Sequence, residues 1–258
     1  MFACGDRKES FVTSSADWFR VVRKVVGESQ AYVDSILPLA FQVPAMMERL
    51  DRVVALPEQS CQGSLLHGLL TQIEQLHLKL GDWLLTCSSR IHKPENGGFV
   101  SPIWQLDNVK SRLFPHFDMP KVFAPTVDFA THDLAIATSL YWTFILQLAI
   151  MADDVQIKLS SLGCLRGEYT GPMPAHIADM ICRSFGYWTS ACGTINAFQI
   201  CWSFPHRVAW RWYARQGRKF ETERDLCLGR SELLRKSGLH GFVVEYVVDS
   251  FYTLPPEQ

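Results

Sequence analysis

Charge of one sign is what this chain lacks most. Its 258 residues carry 25 Lys and Arg against 26 Asp and Glu, a formal net charge of −1. That balance excludes a whole-chain electrostatic grip on nucleic acid or on an anionic membrane surface. Closely spaced cysteines are missing too. The eight cysteines stand at 4, 61, 87, 164, 182, 192, 201 and 227, and no two are two to four residues apart. Structural zinc sites use such short spacings because one turn must present both thiolates to a tetrahedral ion. Cysteines scattered in this way pack as small hydrophobes. The sequence also has no G-x-G-x-x-G, no glycine-rich loop ending in Lys-Ser/Thr, no G-x-S-x-G elbow and no H-E-x-x-H. Each absence removes a reaction class that depends on that geometry. No Asn-x-Ser/Thr acceptor occurs, and the opening MFACGDRKES places charges where a secretory signal needs an apolar run, so an intracellular protein is expected. Strand-like alternation is nearly absent. What remains is a composition 48% hydrophobic and 20% charged, which is globular and not disordered.

The strongest positive signal is a run without charge from Leu134 to Met151, LAIATSLYWTFILQLAIM, between His132–Asp133 and Asp153–Asp154. In a helix it spans about 27 Å, just short of the roughly 30 Å hydrocarbon core of a bilayer. Acidic residues lie at both ends, and no Lys or Arg is placed to anchor to headgroups. Ser139, Thr143 and Gln147 recur every four residues, with Asp154 near the same azimuth. A polar edge on an apolar cylinder predicts a buried core helix, not a membrane span.

Other helices surround it in sequence. Ser15 can cap ADWFRVVRKVV, and Pro44 suits the first turn of AMMERLDRVVAL, which Pro57 ends. From Gly63 to Cys87 an apolar stripe runs through Leu65, Leu66, Leu69, Ile73, Leu76, Leu80, Trp83 and Leu84 at three- and four-residue spacing. Between Ser88 and Pro125 the periodicity breaks, and HKPENGG with repeated prolines predicts irregular connection packed down by Trp104, Phe114, Phe117 and Phe123. After the turn GEYTGPMP, a long helix is expected from Pro174, with Ile177, Ile181, Phe185, Trp188, Cys192 and Ile195 inward and an Asp179–Arg183 pair outside. Pro205 is expected to open a short helix carrying Val208, Ala209, Trp212 and Tyr213. ETERDLCLGRSELLRK forms another, ending at Gly238, and GFVVEYVV follows. The expected fold is all-α, a single multi-helix domain over 1–258 packed around the central buried hydrophobic helix.

Few residues suggest chemistry. All-α isoprenoid synthases hold magnesium with a D-D-x-x-D run on a buried helix. Here Asp153–Asp154 is followed at the third carboxylate position by Ile157, and no second motif appears downstream. An enzyme acting on an apolar, isoprenoid-like substrate is therefore the alternative reading, not the leading one. His67 and His77 are ten residues apart on one helix, about 80° away from each other. Cys182 and Cys192 share that spacing and do not face one another. No catalytic, cofactor-binding or metal residue is assigned. Arg207, Arg211, Arg215 and Arg218 step by four, four and three, with Trp210, Trp212 and Tyr213 interleaved. This cationic stripe is the candidate interaction surface, for phosphates or an acidic partner, although a plain solvated face would have the same pattern.

Four segments in order, DFATHDLAIATSLYWTFILQL, AHIADMICRSFGYW, PHRVAWRWYARQ and ETERDLCLGRSELLRKSG, resemble the C-terminal half of the fungal-specific transcription factor domain. That is the helical region downstream of the binuclear zinc cluster in many fungal regulators. The resemblance covers roughly 104 to 247 and rests on packing patterns. It implies an all-α, non-catalytic regulatory or interaction domain in the nucleus. Such a domain modulates transcription by sensing a small-molecule effector or through protein partners, either the transcription machinery or a related full-length regulator. The chain departs from the family in lacking the six-cysteine cluster with its two Cys-x-x-Cys pairs and basic linker. No zinc ligand can be carried over, and direct DNA binding by this chain is not implied.

Overall fold

The computed structural model describes residues 31–57, 61–91, 104–107, 121–164, 174–191 and 195–236. The expected helix after Ser15, the connection through Phe114 and Phe117, and the closing GFVVEYVV lie outside the described residues. Helices dominate, as expected, and the fold is all-α. The chain divides into two compact units, Met1–Val100 with Gln147–Pro172, and Ser101–Leu146 with Met173–Gln258.

In the first unit, α1 (Ala31–Ala40) and α2 (Gln42–Val54) both pack on α3 (Gln62–Ile91). Most of the α3 stripe is buried as its spacing predicts, at Leu66, Leu69, Ile73, Leu76, Leu80 and Trp83, while Leu65 and Leu84 at its margins are half-buried. On α2, Val43, Met46, Met47, Leu50 and Val53 turn inward, and Pro44 occupies the first turn, where its missing N–H costs nothing. Helix α1 has no counterpart among the sequence-based expectations. Its Pro38 reads as a breaker, yet the helix runs through it for only two further residues before Phe41 turns the chain. Polar groups fasten the three helices. Trp83 Nε1 donates to Ser35 Oγ at 2.8 Å, and Arg49 Nη1 donates to Gln72 Oε1 at 3.0 Å. The buried Gln62 side chain donates to Val53 O at 2.9 Å and to Leu56 O at 3.3 Å. Val53 O also accepts from Leu56 N–H at 3.2 Å, so the glutamine adds a second tie where α2 ends.

Helix α4 (His132–Ser161) holds the apolar run. Thr131 caps it, its Oγ1 accepting from Leu134 N–H at 3.3 Å. By length and composition alone the helix could cross a membrane, and 89% of its most apolar 18-residue window is buried inside the protein. Ser139, Thr143 and Gln147 are buried as well, and Thr143 Oγ1 donates back to Ser139 O. The helix ends in a Schellman motif. Gly163 takes φ +69°, Cys164 N–H donates to Leu159 O at 3.0 Å, and Gly163 N–H donates to Ser160 O at 3.1 Å. Only glycine takes that left-handed φ without a penalty.

The second unit contains the structure's departures from expectation. Where an irregular connection was expected, Trp104–Asp107 (β1) pairs antiparallel with Thr126–Phe129 (β2), Trp104 opposite Phe129. Four-residue strands carry too few alternations to be read from pattern. The long helix expected from Pro174 is broken. It becomes α5 (Pro174–Arg183) and α6 (Phe185–Ala191), with Ser184 between them. Of its expected inward stripe, Ile177, Ile181, Phe185 and Trp188 are buried, Cys192 lies outside the described residues, and Ile195 belongs to the next helix. Pro205 does not open a helix; it lies within α7 (Ile195–Arg215). A 3-10 turn, Gly217–Phe220, leads to α8 (Glu221–Lys236). Helices α5, α6 and α8 all pack against α7, and α6 lies on β2. Rings fill the spaces between these elements. Trp142 of α4 meets Trp104 at 5.2 Å and Phe129 at 5.8 Å, Phe129 meets Tyr187 at 4.9 Å, and Phe144 meets Phe204 at 6.2 Å.

Candidate functional site, a buried arginine beside two thiols

The arginine stripe read from sequence does not lie on one solvated face. Because α7 begins ten residues before Pro205, Arg207 falls in mid-helix and is only 5% exposed, its guanidinium 5.8 Å from the Phe204 ring centroid. Arg211 is half-buried, and Arg215, the last helical residue, is exposed. Arg218 is also exposed but belongs to the 3-10 turn, beyond Gly217 with its φ of +63°. A periodicity count assumes one helix, and that glycine ends it. As an interaction surface the stripe reduces to Arg215 and Arg218, with Arg211 at the margin.

The other sequence candidates stay apart. His67 is exposed and His77 half-buried, where burial lowers its basicity. Asp153 and Asp154 are half-buried, and Ile157, at the place of a third carboxylate, is 57% exposed. Among the described residues no group of three or more His, Cys, Asp or Glu side chains is arranged to hold a metal. The expected Asp179–Arg183 pair is formed, at 3.4 Å. Arg183 does more than pair. Its guanidinium donates to Ala124 O at 2.7 Å, Pro125 O at 3.0 Å and Val122 O at 3.3 Å, fastening the Lys121–Phe123 turn and the residues after it to α5.

The most concentrated polar chemistry is elsewhere. Successive inward positions of α8 are Cys227, Arg230 and Ser231, three and four residues apart on one face. Arg230 is 1% exposed. Its guanidinium lies between two rings, 4.6 Å from the Phe123 centroid and 4.8 Å from that of Phe185. Such desolvated contacts are worth about 2 kcal/mol each. Arg230 Nη1 donates to Cys182 O at 2.9 Å, so the cation meets the carbonyl end of α5, the negative end of its dipole. The Cys182 sulfur in turn lies 3.6 Å from that of Cys227. At the edge of the cluster Tyr213 donates to Asp179 Oδ1 at 3.3 Å.

Burial sets the electrostatics here. It pushes the Cys227 thiol well above the usual thiol range, a shift reinforced by the hydrogen bond and charge of Cys182, and Arg230 pulls weakly the other way. It pushes the Tyr213 hydroxyl far above the phenol range, with Cys182, Cys227 and Asp179 adding to the effect. Burial lowers Arg230 from the usual guanidinium range, against the neighbouring sulfurs and Tyr213. His206, fully buried, is held well below the imidazole range by desolvation and then by the Arg230 charge. The cluster thus favours a neutral Cys227 thiol, a neutral phenol and a neutral imidazole around one enclosed cation. Such a centre is suited to fixing helix ends.

Sequence reading missed this cluster because its members come from the Lys121–Phe123 turn and from α5, α6, α7 and α8. One signal was present, an arginine on the inward face of α8 in line with Cys227. No family model, no curated protein and no solved structure matches the chain.

Proposed function

We propose that the chain is a non-catalytic regulatory or interaction domain of the kind found in fungal transcription regulators, acting through partners in the nucleus. One observation supports this reading above the rest. The residues that carry the family resemblance are interior packing residues: Tyr141 and Trp142, Ile181 and Cys182, Trp188, Trp212 and Tyr213, Cys227 and Arg230 are all buried. A resemblance made of packing residues speaks for a shared scaffold, and a scaffold of this kind works through its surface. The exposed Arg215 and Arg218 offer such a surface to an acidic partner.

The alternative, an all-α enzyme for an isoprenoid-like substrate, needs magnesium held at Asp153–Asp154. The outward Ile157 one turn further on speaks against it. Tethering the chain to an unrelated DNA-binding module upstream of a reporter tests the proposal. A several-fold change in transcription is expected, reduced by Arg215→Glu with Arg218→Glu. An inert tether, or magnesium-dependent turnover of a prenyl diphosphate lost on Asp153→Ala, would refute it.

A further inference from the structure

We infer that Cys182 and Cys227 are a redox pair that closes to a disulfide under a peroxide oxidant, cross-linking α5 to α8. The inference does not depend on the transcriptional reading. Its ground is placement. The two sulfurs are in contact at 3.6 Å and come from residues 45 apart in sequence, one on α5 and one on α8. A disulfide has an S–S length of about 2 Å, so closure asks for an approach of roughly 1.5 Å. Both residues are free thiols, and no solvent separates them, since neither has exposed surface.

The chemistry balances with the oxidant named. One thiol attacks a peroxide oxygen, becoming a sulfenic acid and releasing water. The second sulfur displaces that hydroxyl, forming the S–S bond and a second water. Overall, two thiols and one hydrogen peroxide give one disulfide and two waters. Burial disfavours the Cys227 thiolate, and both sulfurs are shut off from solvent at rest, so the rate is set by local opening around α8. The Arg230 guanidinium, hydrogen-bonded to the Cys182 carbonyl, supplies a positive charge beside whichever sulfur ionises. Once one sulfur is oxidised, its partner is already in contact. Sulfenic acid therefore should not accumulate, and the two residues should react together.

Peptide mapping of the unmodified protein tests this without relying on the folding of a variant. The protein is exposed to hydrogen peroxide and quenched, its remaining thiols are alkylated in denaturant, and it is digested without reductant. The expected product joins the Cys182 and Cys227 peptides, is two mass units below their reduced sum, and disappears with dithiothreitol. It should form more slowly than the oxidation of the exposed Cys61. It should also raise the unfolding temperature, by about 5–10 °C, through the loop-closure constraint on the unfolded chain. Both thiols still alkylatable after prolonged exposure, well beyond complete oxidation of Cys61, would overturn the inference. So would either residue recovered singly as a sulfinic or sulfonic acid, or paired with a different cysteine. Cys182→Ala, oxidised alongside, should show no change in unfolding temperature; an unchanged rise would also overturn it.

Discussion

Replacing Arg230 by methionine and by alanine separates two ways in which a buried cation can matter. Both substitutions remove the charge between Phe123 and Phe185 and the donor to Cys182 O. Two desolvated ring contacts at about 2 kcal/mol each and a charged hydrogen bond at roughly 2 kcal/mol are lost. Against this, the desolvation penalty of an enclosed guanidinium, several kcal/mol, disappears. Methionine fills much of the same space, so these opposing terms should leave Arg230→Met within about 2 kcal/mol of the parent. Alanine leaves the space between the rings empty, which adds a cavity cost of about 2–3 kcal/mol. The expected order is parent, then methionine, then alanine, with the two variants separated by about 3 kcal/mol, or roughly 6–12 °C in unfolding temperature. Urea unfolding followed by tryptophan fluorescence measures this, because Trp188 and Trp212 lie in the same unit. Equal stability of the two variants would refute the assignment of Arg230 as a space-filling interior cation. So would an alanine variant within 1 kcal/mol of the parent.

Further outcomes follow from the same structure. His206 is held neutral in the folded protein well below the pH at which it protonates when unfolded. Acid therefore favours the unfolded chain, and the stability present above pH 6.5 is lost as pH falls through and below that value. Between pH 7.5 and 5.5 the loss from this residue should be roughly 1–2 kcal/mol, and denaturant midpoints at the two values should converge in His206→Gln. Gly68 and Gly81 lie within α3 with open space where a Cβ would go. Replacing either with alanine should stabilise by about 0.5–1 kcal/mol. Gly63→Ala, whose Cβ would come within 3.1 Å of the Cys164 sulfur, should gain less, and thermal unfolding of the three single variants checks the order.

What the sequence determined by itself is the set of features that depend on near neighbours along the chain. An uncharged apolar run with a polar edge predicts a mostly enclosed helix, and α4 is one. The stripe on α3, the first-turn position of Pro44 and the Asp179–Arg183 pair were legible because each is decided within one or two helical turns. Tertiary structure decided the rest. Pro205 reads locally as a helix start, yet the apolar surface buried by Phe204, Val208 and Ala209 carries α7 through it. Phe185 has helical periodicity with Ile181, but the chain breaks at Ser184, and the Cys182 carbonyl takes its hydrogen bond from Arg230, 48 residues away. Two four-residue strands owe their existence to each other and not to their own alternation. The enclosed arginine and the paired sulfurs could not be read from any window of sequence, because a buried charge or a thiol contact is fixed by what arrives from distant segments.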